Sequence, residues 1–245
     1  MLAGLPERVP ILVLGPPPDE IPDSSLGYMI ARFVEVFGEP APAVETYFLA
    51  GGVFDLAALD ARVSRLLVGD CAEVLVLATS FALVHFLDAV GDATFRLPAG
   101  TRVMQTGGFK GKSREVEPAE LRRSLARCFG VGERAIVSEY GMTELSSQFY
   151  EAVLVDPGAS HGIYVEPPWA RVVPVDPETL APMQGDREGI AKIIDLMNVD
   201  SAVAVLAEDR VRRVPGGFEL LGRARGARPR GCSIAIDEIL GRNAG

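Results

Sequence analysis

The stretch AEVLVLATSFALVHFLDAV, residues 72–90, indicates the fold class of this chain. Residues 72–78 are almost entirely apolar, which is typical of a strand that is covered on both faces. Ser80 is the predicted cap of the helix that follows, and this helix continues to Val90. A buried strand that leads directly into a helix is the repeating unit of α/β proteins with parallel sheets.

The same alternation of strand and helix runs through the first 150 residues. A helix begins after Ser24 and ends at Gly38, with apolar residues at helical spacing between them. Pro118 stands in the first turn of another helix, which runs to Phe129. The patterns also predict a helix at 55–68 and strands at 10–14, 45–50, 101–105 and 135–138. We therefore expect an α/β fold with a mostly parallel sheet and flanking helices.

From about residue 155 the pattern changes. Prolines become frequent, helical periodicity disappears, and the remaining β-rich runs are separated by turns such as 215–217. These runs, which predict a smaller antiparallel sheet or partial barrel, are 171–175, 190–196, 202–206 and 218–221. The predicted organisation is an α/β part at 1–155 and a β-rich part at 156–245.

Composition narrows the class of protein. The 245 residues include 24 Lys+Arg and 33 Asp+Glu, a net charge of −9, which argues against nucleic-acid binding. No apolar run reaches the roughly 18 residues that a membrane span needs, and the N-terminus lacks a signal-peptide pattern. Cys71, Cys128 and Cys232 are too few and too scattered for a disulfide framework or a zinc site. These features predict a cytoplasmic protein without a membrane span.

Two segments follow predicted strands at the sheet edge where α/β proteins bind ligands. After 101–105, paired Gly107 and Gly108 allow a flat or phosphorylated ligand to approach the backbone, although an ordinary glycine turn is the alternative. After 135–138, the segment SEYGMTEL (138–145) combines an aromatic ring, a glycine, a hydroxyl and a carboxylate. These groups suit a base, a phosphate oxygen and Mg²⁺, whereas a loop with a capping threonine is the alternative.

Cys232 stands in a different chemical setting from the other two cysteines. Four arginines precede it within ten positions of an otherwise acidic chain, at 223, 225, 228 and 230. Nearby cations stabilise a thiolate, which is the nucleophilic form of cysteine. The alternative is a small buried hydrophobe that begins an apolar strand.

The segment Tyr140-Gly141-Met142-Thr143-Glu144 resembles the signature of adenylate-forming enzymes, which activate carboxylic acids with ATP. Three segments together resemble the acyl-protein synthetase (LuxE-like) branch. They are TGGFKGKSREV (106–116), YGMTELSSQFY (140–150) and GFELLGRARGARPRGCSIAIDEIL (217–240). In that branch a fatty acid is adenylated, passed to a cysteine near the C-terminus and handed to an acyl-CoA-type reductase.

The resemblance implies a role for each matching residue. Tyr140 would stack on adenine, and Thr143 would contact the α-phosphate. Glu144 would hold Mg²⁺. Asp209 would bind the ribose, although the flanking LAEDR departs from the usual Thr-Gly-Asp. The resemblance also implies an acyl acceptor at Cys232, an acyl pocket at Ser80, Phe81 and His85, and further ATP/AMP contacts at Gly107, Gly108, Gly141, Met142 and Arg223.

The Ser/Thr/Gly-rich phosphate loop of adenylate-forming enzymes does not occur in these 245 residues. A separate polypeptide that supplies the loop, a trimmed longer protein and a degenerate relative are the three explanations. The leading hypothesis is one component of a split acyl-protein synthetase, with a reductase or carrier protein as acyl acceptor. A phenylacetate-type coenzyme A ligase and a non-catalytic nucleotide-binding or assembly subunit are the alternatives.

Overall fold

The computed structural model describes residues 4–107, 116–224, 226 and 240. They form two compact units. The first unit consists of the described residues up to Val137 together with Leu240, and the second begins at Ser138 and extends through the last strand.

The first unit alternates strands and helices. Strand β4 pairs in parallel with both β1 and β5, and β6 follows β5 in the sheet order. The separate strands β2 and β3 form a hairpin. The elements in chain order are β1 (Ile11–Val13), α1 (Ser25–Phe37), β2 (Leu49–Ala50), β3 (Val53–Phe54), α2 (Leu56–Val68), β4 (Leu75–Thr79), α3 (Ser80–Val90), β5 (Arg102–Thr106), α4 (Pro118–Phe129) and β6 (Ile136–Tyr140). The parallel α/β architecture is therefore confirmed.

The helices begin where side chains can accept backbone hydrogen bonds. Ser24 caps α1 through the backbone N–H of Gly27, as predicted. The predicted cap of α3 was wrong by one residue, because Thr79 accepts from Ala82 N and Ser80 is the first helical residue. The Ser80 hydroxyl instead donates to the backbone oxygen of Gly107, at 2.8 Å.

The core of the first unit lies around β4. All five residues of β4 are buried, which confirms the expectation from its continuous apolar run. Phe86 of α3 contacts the rings of Phe54, Phe95 and Phe129. The predicted strand at 45–50 is shorter than expected, because a 3-10 helix occupies Ala43–Glu45 and β2 begins at Leu49.

The second unit is an antiparallel sheet, as predicted from the change of pattern. Its strand order, starting from the end of β6, is β6-β7-β8-β12-β11-β10-β9, and every described pair is antiparallel. The strands are β7 (Phe149–Glu151), β8 (Ile163–Val165), β9 (Ala170–Val175), β10 (Gly189–Asp195), β11 (Ala204–Val214) and β12 (Gly217–Arg223). A 3-10 helix, Leu196–Asn198, follows β10 directly.

Aromatic rings from four neighbouring strands form the core of the second unit. Phe149 and Phe218 are fully buried, and their centroids lie 5.4 Å apart. Tyr140 and Tyr164 contact Phe218 at 6.1 and 5.6 Å. This cluster fixes the end of β6, from which the candidate site begins. Among the described residues, no helix combines the length and the hydropathy that a membrane span requires.

Candidate functional site

The turn that follows β6, residues 141–148, carries the predicted signature residues. A Cβ atom at Gly141 would lie 2.5 Å from Oε1 of the buried Glu139, so any larger residue here would force that carboxylate to move. The backbone then closes a turn in which Leu145 N donates to Met142 O at 3.1 Å. Met142 and Leu145 pack against the aromatic core, whereas Thr143 and Glu144 are exposed. The turn is therefore anchored by two apolar side chains and leaves a hydroxyl and a carboxylate exposed to solvent.

Three predicted cofactor-binding residues meet in the second unit. The Tyr140 hydroxyl donates to Asp209 Oδ2 at 2.9 Å, and Arg223 Nη1 lies 3.6 Å from Asp209 Oδ1. Asp209 and Arg223 are cross-strand partners on β11 and β12, and Arg223 also pairs with Glu208. Folding therefore joins the signature segment to an acidic and a basic residue that lie far away in the sequence.

The environment of Tyr140 keeps its hydroxyl protonated. Burial raises the pKa of Tyr140 well above its usual value, and the neighbouring Asp209 carboxylate raises it further. Tyr140 is 8% exposed, so an adenine ring would contact only a small part of the Tyr140 ring in this conformation. The phenol is thus a fixed donor to Asp209.

We expect Tyr140→Phe to lower the free energy of unfolding by about 1–2 kcal/mol, because the largely buried Asp209 loses a hydrogen-bond donor. Urea denaturation measures the change. Tyr28→Phe removes a hydroxyl from a tyrosine that is 69% exposed and serves as the control. Equal stability of the two variants would contradict the importance of the Tyr140–Asp209 bond.

A buried carboxylate that the sequence did not single out holds the start of the same segment. Glu151 of β7 accepts hydrogen bonds from Ser138 N at 2.9 Å and from Gly162 N, and its Oε2 lies 3.2 Å from His161 Nδ1. Burial opposes ionisation of Glu151, but the hydrogen bonds from His161, Gly162 and Ser138 prevail and lower its pKa. Glu151 therefore ties the loop at His161 and Gly162 to β6.

Glu151→Gln is expected to reduce stability at neutral pH and to flatten the loss of stability in acid. The unfolded chain has a Glu pKa of about 4.3, and the folded protein holds the pKa of Glu151 below that value. The ionised carboxyl therefore stabilises the fold at any pH above the unfolded pKa. This contribution is lost as the pH falls through the folded pKa. We expect about 1–3 kcal/mol less unfolding free energy at pH 7.

Denaturant titrations from about pH 7 down to about pH 3 test this expectation, a range that spans the ordinary carboxyl pKa. The control is Glu188→Gln, which removes an exposed carboxylate paired with Arg210 and should change stability little. A Glu151→Gln protein with the acid sensitivity of the wild type would contradict the assignment.

The first unit brings together other predicted residues. Ser80 Oγ donates to Gly107 O, and Gly107 has φ +75°, a conformation that favours glycine. Phe81 and the half-buried His85 lie one helical turn apart on α3, with ring centroids 4.4 Å apart. Ser80 and Gly107 thus lie at the ends of β4 and β5, where a ligand is expected in a parallel sheet. Gly108 and Cys232 lie outside the described residues, as do the arginines at 225, 228 and 230.

Glu144 is the predicted Mg²⁺ ligand. Its side chain is exposed, and in the part of the chain that the structure describes it forms no ion pair. No group of three or more His, Cys, Asp or Glu residues suited to a metal ion occurs among the described residues. Mg²⁺ commonly binds one or two carboxylates together with waters and substrate phosphates. A single exposed carboxylate therefore fits a Mg²⁺ ion that arrives with a nucleotide.

Solved structures share this fold. ATP-bound MatB from Rhodopseudomonas palustris matches 88% of this chain with a TM-score of 0.59 and 14% identity. McyG A-PCP complexed with phenylalanyl-adenylate matches 91% with a TM-score of 0.58 and 15% identity. The MenE O-succinylbenzoate coenzyme A synthetase from Bacillus subtilis, in complex with ATP and magnesium, matches 90% with a TM-score of 0.53 and 15% identity.

The match covers only part of each of those proteins. This chain spans 40% of the MatB chain, 41% of the McyG chain and 43% of the MenE chain. No protein-family model matches the sequence, and no curated protein sequence matches it. The chain thus has the fold of one portion of these proteins.

Proposed function

We propose that this chain takes part in the ATP-dependent activation of a carboxylic acid by adenylation. One observation carries the proposal: the hydroxyl of Tyr140 lies 2.9 Å from the carboxylate of Asp209, which Arg223 also contacts. These side chains come from separate segments to which the resemblance to adenylate-forming enzymes gives roles at one nucleotide. The shared fold supports the proposal, because some of the matching structures hold ATP or an acyl-adenylate.

Each side chain then has a defined task. Asp209 and Arg223 bind the ribose hydroxyls and a phosphate, while the turn after Tyr140 offers Thr143 to the α-phosphate. The acid's carboxylate oxygen attacks the α-phosphorus, the bond to pyrophosphate breaks, and the acyl-adenylate forms. Bound Mg²⁺ would neutralise charge on the departing pyrophosphate. Glu144 would hold that ion with one carboxylate. The protein contributes position and charge, which are the main demands of phosphoryl chemistry.

We further propose that Cys232 receives the acyl group. Its thiolate attacks the acyl carbonyl carbon, a C–S bond forms, and AMP leaves with the electrons of the broken C–O bond. The arginines that precede Cys232 in the sequence support a thiolate at this position, and a reducing cytoplasm would keep the thiol free. The acid is a fatty acid or another carboxylic acid, and a reductase or carrier protein would take the acyl group onward.

We also propose that a separate polypeptide supplies the phosphate loop. No such loop occurs in the 245 residues, and the chain spans 40% of the MatB structure that it matches. A loop rich in backbone N–H groups and hydroxyls would bind the β- and γ-phosphates. The partner would thereby complete the site that this chain begins.

ATP–pyrophosphate exchange tests the adenylation step directly. We expect exchange when the chain is mixed with the protein that co-purifies with it, and little exchange with the chain alone. Robust exchange by the isolated chain would contradict the requirement for a partner. Absence of exchange in every mixture would contradict adenylation and favour a non-catalytic nucleotide-binding or assembly subunit.

A coenzyme A ligase is the second candidate, favoured by the fold shared with the MenE synthetase. In that reaction coenzyme A, rather than Cys232, takes the acyl group. Mass spectrometry after incubation of the mixture with ATP, Mg²⁺, a fatty acid and coenzyme A distinguishes the two. A covalent adduct on Cys232 supports the acyl-protein synthetase, and acyl-CoA formation without an adduct supports the ligase.

A further inference from the structure

Asp195, the last residue of β10, is a carboxylate with no exposed surface. Oδ2 accepts from Ser146 N at 3.0 Å and from Ser147 N at 2.8 Å. Oδ1 accepts from Ser147 Oγ at 2.8 Å and from Met197 N at 3.0 Å. Among the described residues no cation forms an ion pair with Asp195, so these four donors compensate for its lost hydration. If residues 146–147 moved away from β10, the buried Asp195 carboxylate would therefore lose three of its four hydrogen-bond donors.

Asn198, in the 3-10 helix after β10, holds the same turn at two further points. Its Nδ2 donates to Glu144 O at 2.8 Å and to Ala202 O at 2.9 Å. Its Oδ1 accepts from Ser146 Oγ at 3.1 Å. The backbone of Glu144 is thus attached to the 3-10 helix, although the side chain of Glu144 is exposed.

These contacts join segments that are 48 to 54 residues apart in the sequence. An exposed turn is ordinarily among the least stable parts of a structure, and its ordering on ligand binding costs affinity. Asp195 and Asn198 remove much of this cost in advance, because they fix the backbone on both sides of Leu145.

We propose that Asp195 and Asn198 are positioning residues for the exposed Thr143–Glu144 pair. Resting on the proposed function, they hold this pair where a Mg²⁺-bound nucleotide can contact it without further ordering. Neither residue touches the substrate in this proposal, since their polar atoms are engaged by the turn and by the backbone of Met197 and Ala202.

Trp169 reports on the same network. It is the single tryptophan of the chain, and its Nε1 donates to Ser147 Oγ at 3.0 Å. The indole is 46% exposed, so its emission should respond to a change in this contact or in its hydration. The state of the turn can therefore be followed in the unlabelled protein.

Asn198→Asp is the test variant. It keeps the size of the side chain and the acceptor for Ser146, but it places a carboxylate oxygen against the carbonyl oxygens of Glu144 and Ala202. We expect a changed Trp169 emission and an approximately tenfold higher Mg²⁺ concentration for half-maximal ATP–pyrophosphate exchange, in the mixture where the wild type is active. The melting temperature should remain near that of the wild type, because the contacts of Asn198 are exposed.

Thr179→Ala is the matched control, since it removes the two hydrogen bonds of the Thr179 hydroxyl, to Asp176 and Ala181, from another exposed turn of the same unit. Asp195→Asn is a second variant, because it places an amide N–H against the N–H groups of Ser146 and Ser147, which donate to Oδ2 in the wild type. We expect a larger shift in Mg²⁺ dependence than in Asn198→Asp, or loss of folding. A merely structural role would lower the amount of folded protein without changing the Mg²⁺ dependence of the folded fraction.

Unchanged Mg²⁺ dependence in Asn198→Asp beside an active wild type would overturn the positioning role and leave the proposed function intact. Unchanged Trp169 emission in that variant would overturn it as well. Absence of exchange by the wild type in every mixture would instead contradict the proposed function itself.

Discussion

Replacement of Cys232 by serine is expected to abolish the covalent acyl adduct and to leave ATP–pyrophosphate exchange at the wild-type rate. A serine hydroxyl stays protonated at neutral pH without a dedicated base, whereas a cysteine beside cations is partly thiolate. Adenylation precedes the transfer and does not involve the sulfur. We expect the amount of adduct to fall at least about 100-fold.

Intact-protein mass spectrometry, after the mixture with the co-purifying protein is incubated with ATP, Mg²⁺ and a fatty acid, measures the adduct. Cys71→Ser and Cys128→Ser are the controls. Cys128 is buried, and burial raises the pKa of its thiol, which therefore stays protonated. Cys71 is half-buried and donates to Glu73 O at 3.2 Å. An adduct that persists in Cys232→Ser and disappears in either control would contradict the proposed role of Cys232.

Glu144→Gln is expected to slow adenylation by about two to three orders of magnitude, the usual cost of removing one charge-stabilising group. The substitution keeps the side-chain shape and removes the negative charge that Mg²⁺ prefers in a ligand. Since the side chain is exposed and the structure records a contact only for its backbone oxygen, folding should be unaffected.

The exchange assay at several Mg²⁺ concentrations measures this loss, and a melting curve confirms that the variant is folded. Glu178→Gln is the matched control, because it removes an exposed carboxylate from a different turn of the same unit. Full exchange by Glu144→Gln at low Mg²⁺ would refute the assignment of Glu144 as the metal ligand.

Local sequence patterns predicted most of the first unit. Both bounds of α4 agree with the prediction, because Pro118 and Gly130 mark a helix start and stop by their own backbone preferences. The buried run of β4 was likewise evident from composition. The cap of α3 was misassigned because Thr79 and Ser80 are equivalent by residue type, and only the contact of Ser80 with Gly107 distinguishes them.

The second unit was less predictable. Strands β7 and β8 have three residues each, too few for a periodic pattern. Strand β11 continues to Val214, well beyond the predicted run, through a charged stretch that local pattern does not favour. Pairing with β12 supports it, since Arg212 hydrogen-bonds to its cross-strand partner Glu219. Such pairing energy depends on a neighbour that local pattern cannot reveal.

In the candidate site, too, local sequence pattern predicted some features and only tertiary pairing decided others. Tyr140, Asp209 and Arg223 were chosen from motifs, but their proximity depends on the register that places Asp209 opposite Arg223. Asp195 was missed, although an acidic residue at the end of the apolar run Ile193-Ile194 was an available signal. Glu151 was missed as well, since its donors come from strand β6 before it and from the loop at Gly162 after it.

By itself, the sequence determined which elements form in the first unit and which chemical groups the turn after β6 carries, because both depend on residues within a few positions of each other. Only the tertiary structure decided which buried carboxylates hold that turn in place. The reason is physical: a desolvated charge is stable only where donors converge on it, and the donors to Asp195 and the donor to Asp209 lie up to 49 and 69 residues away along the chain.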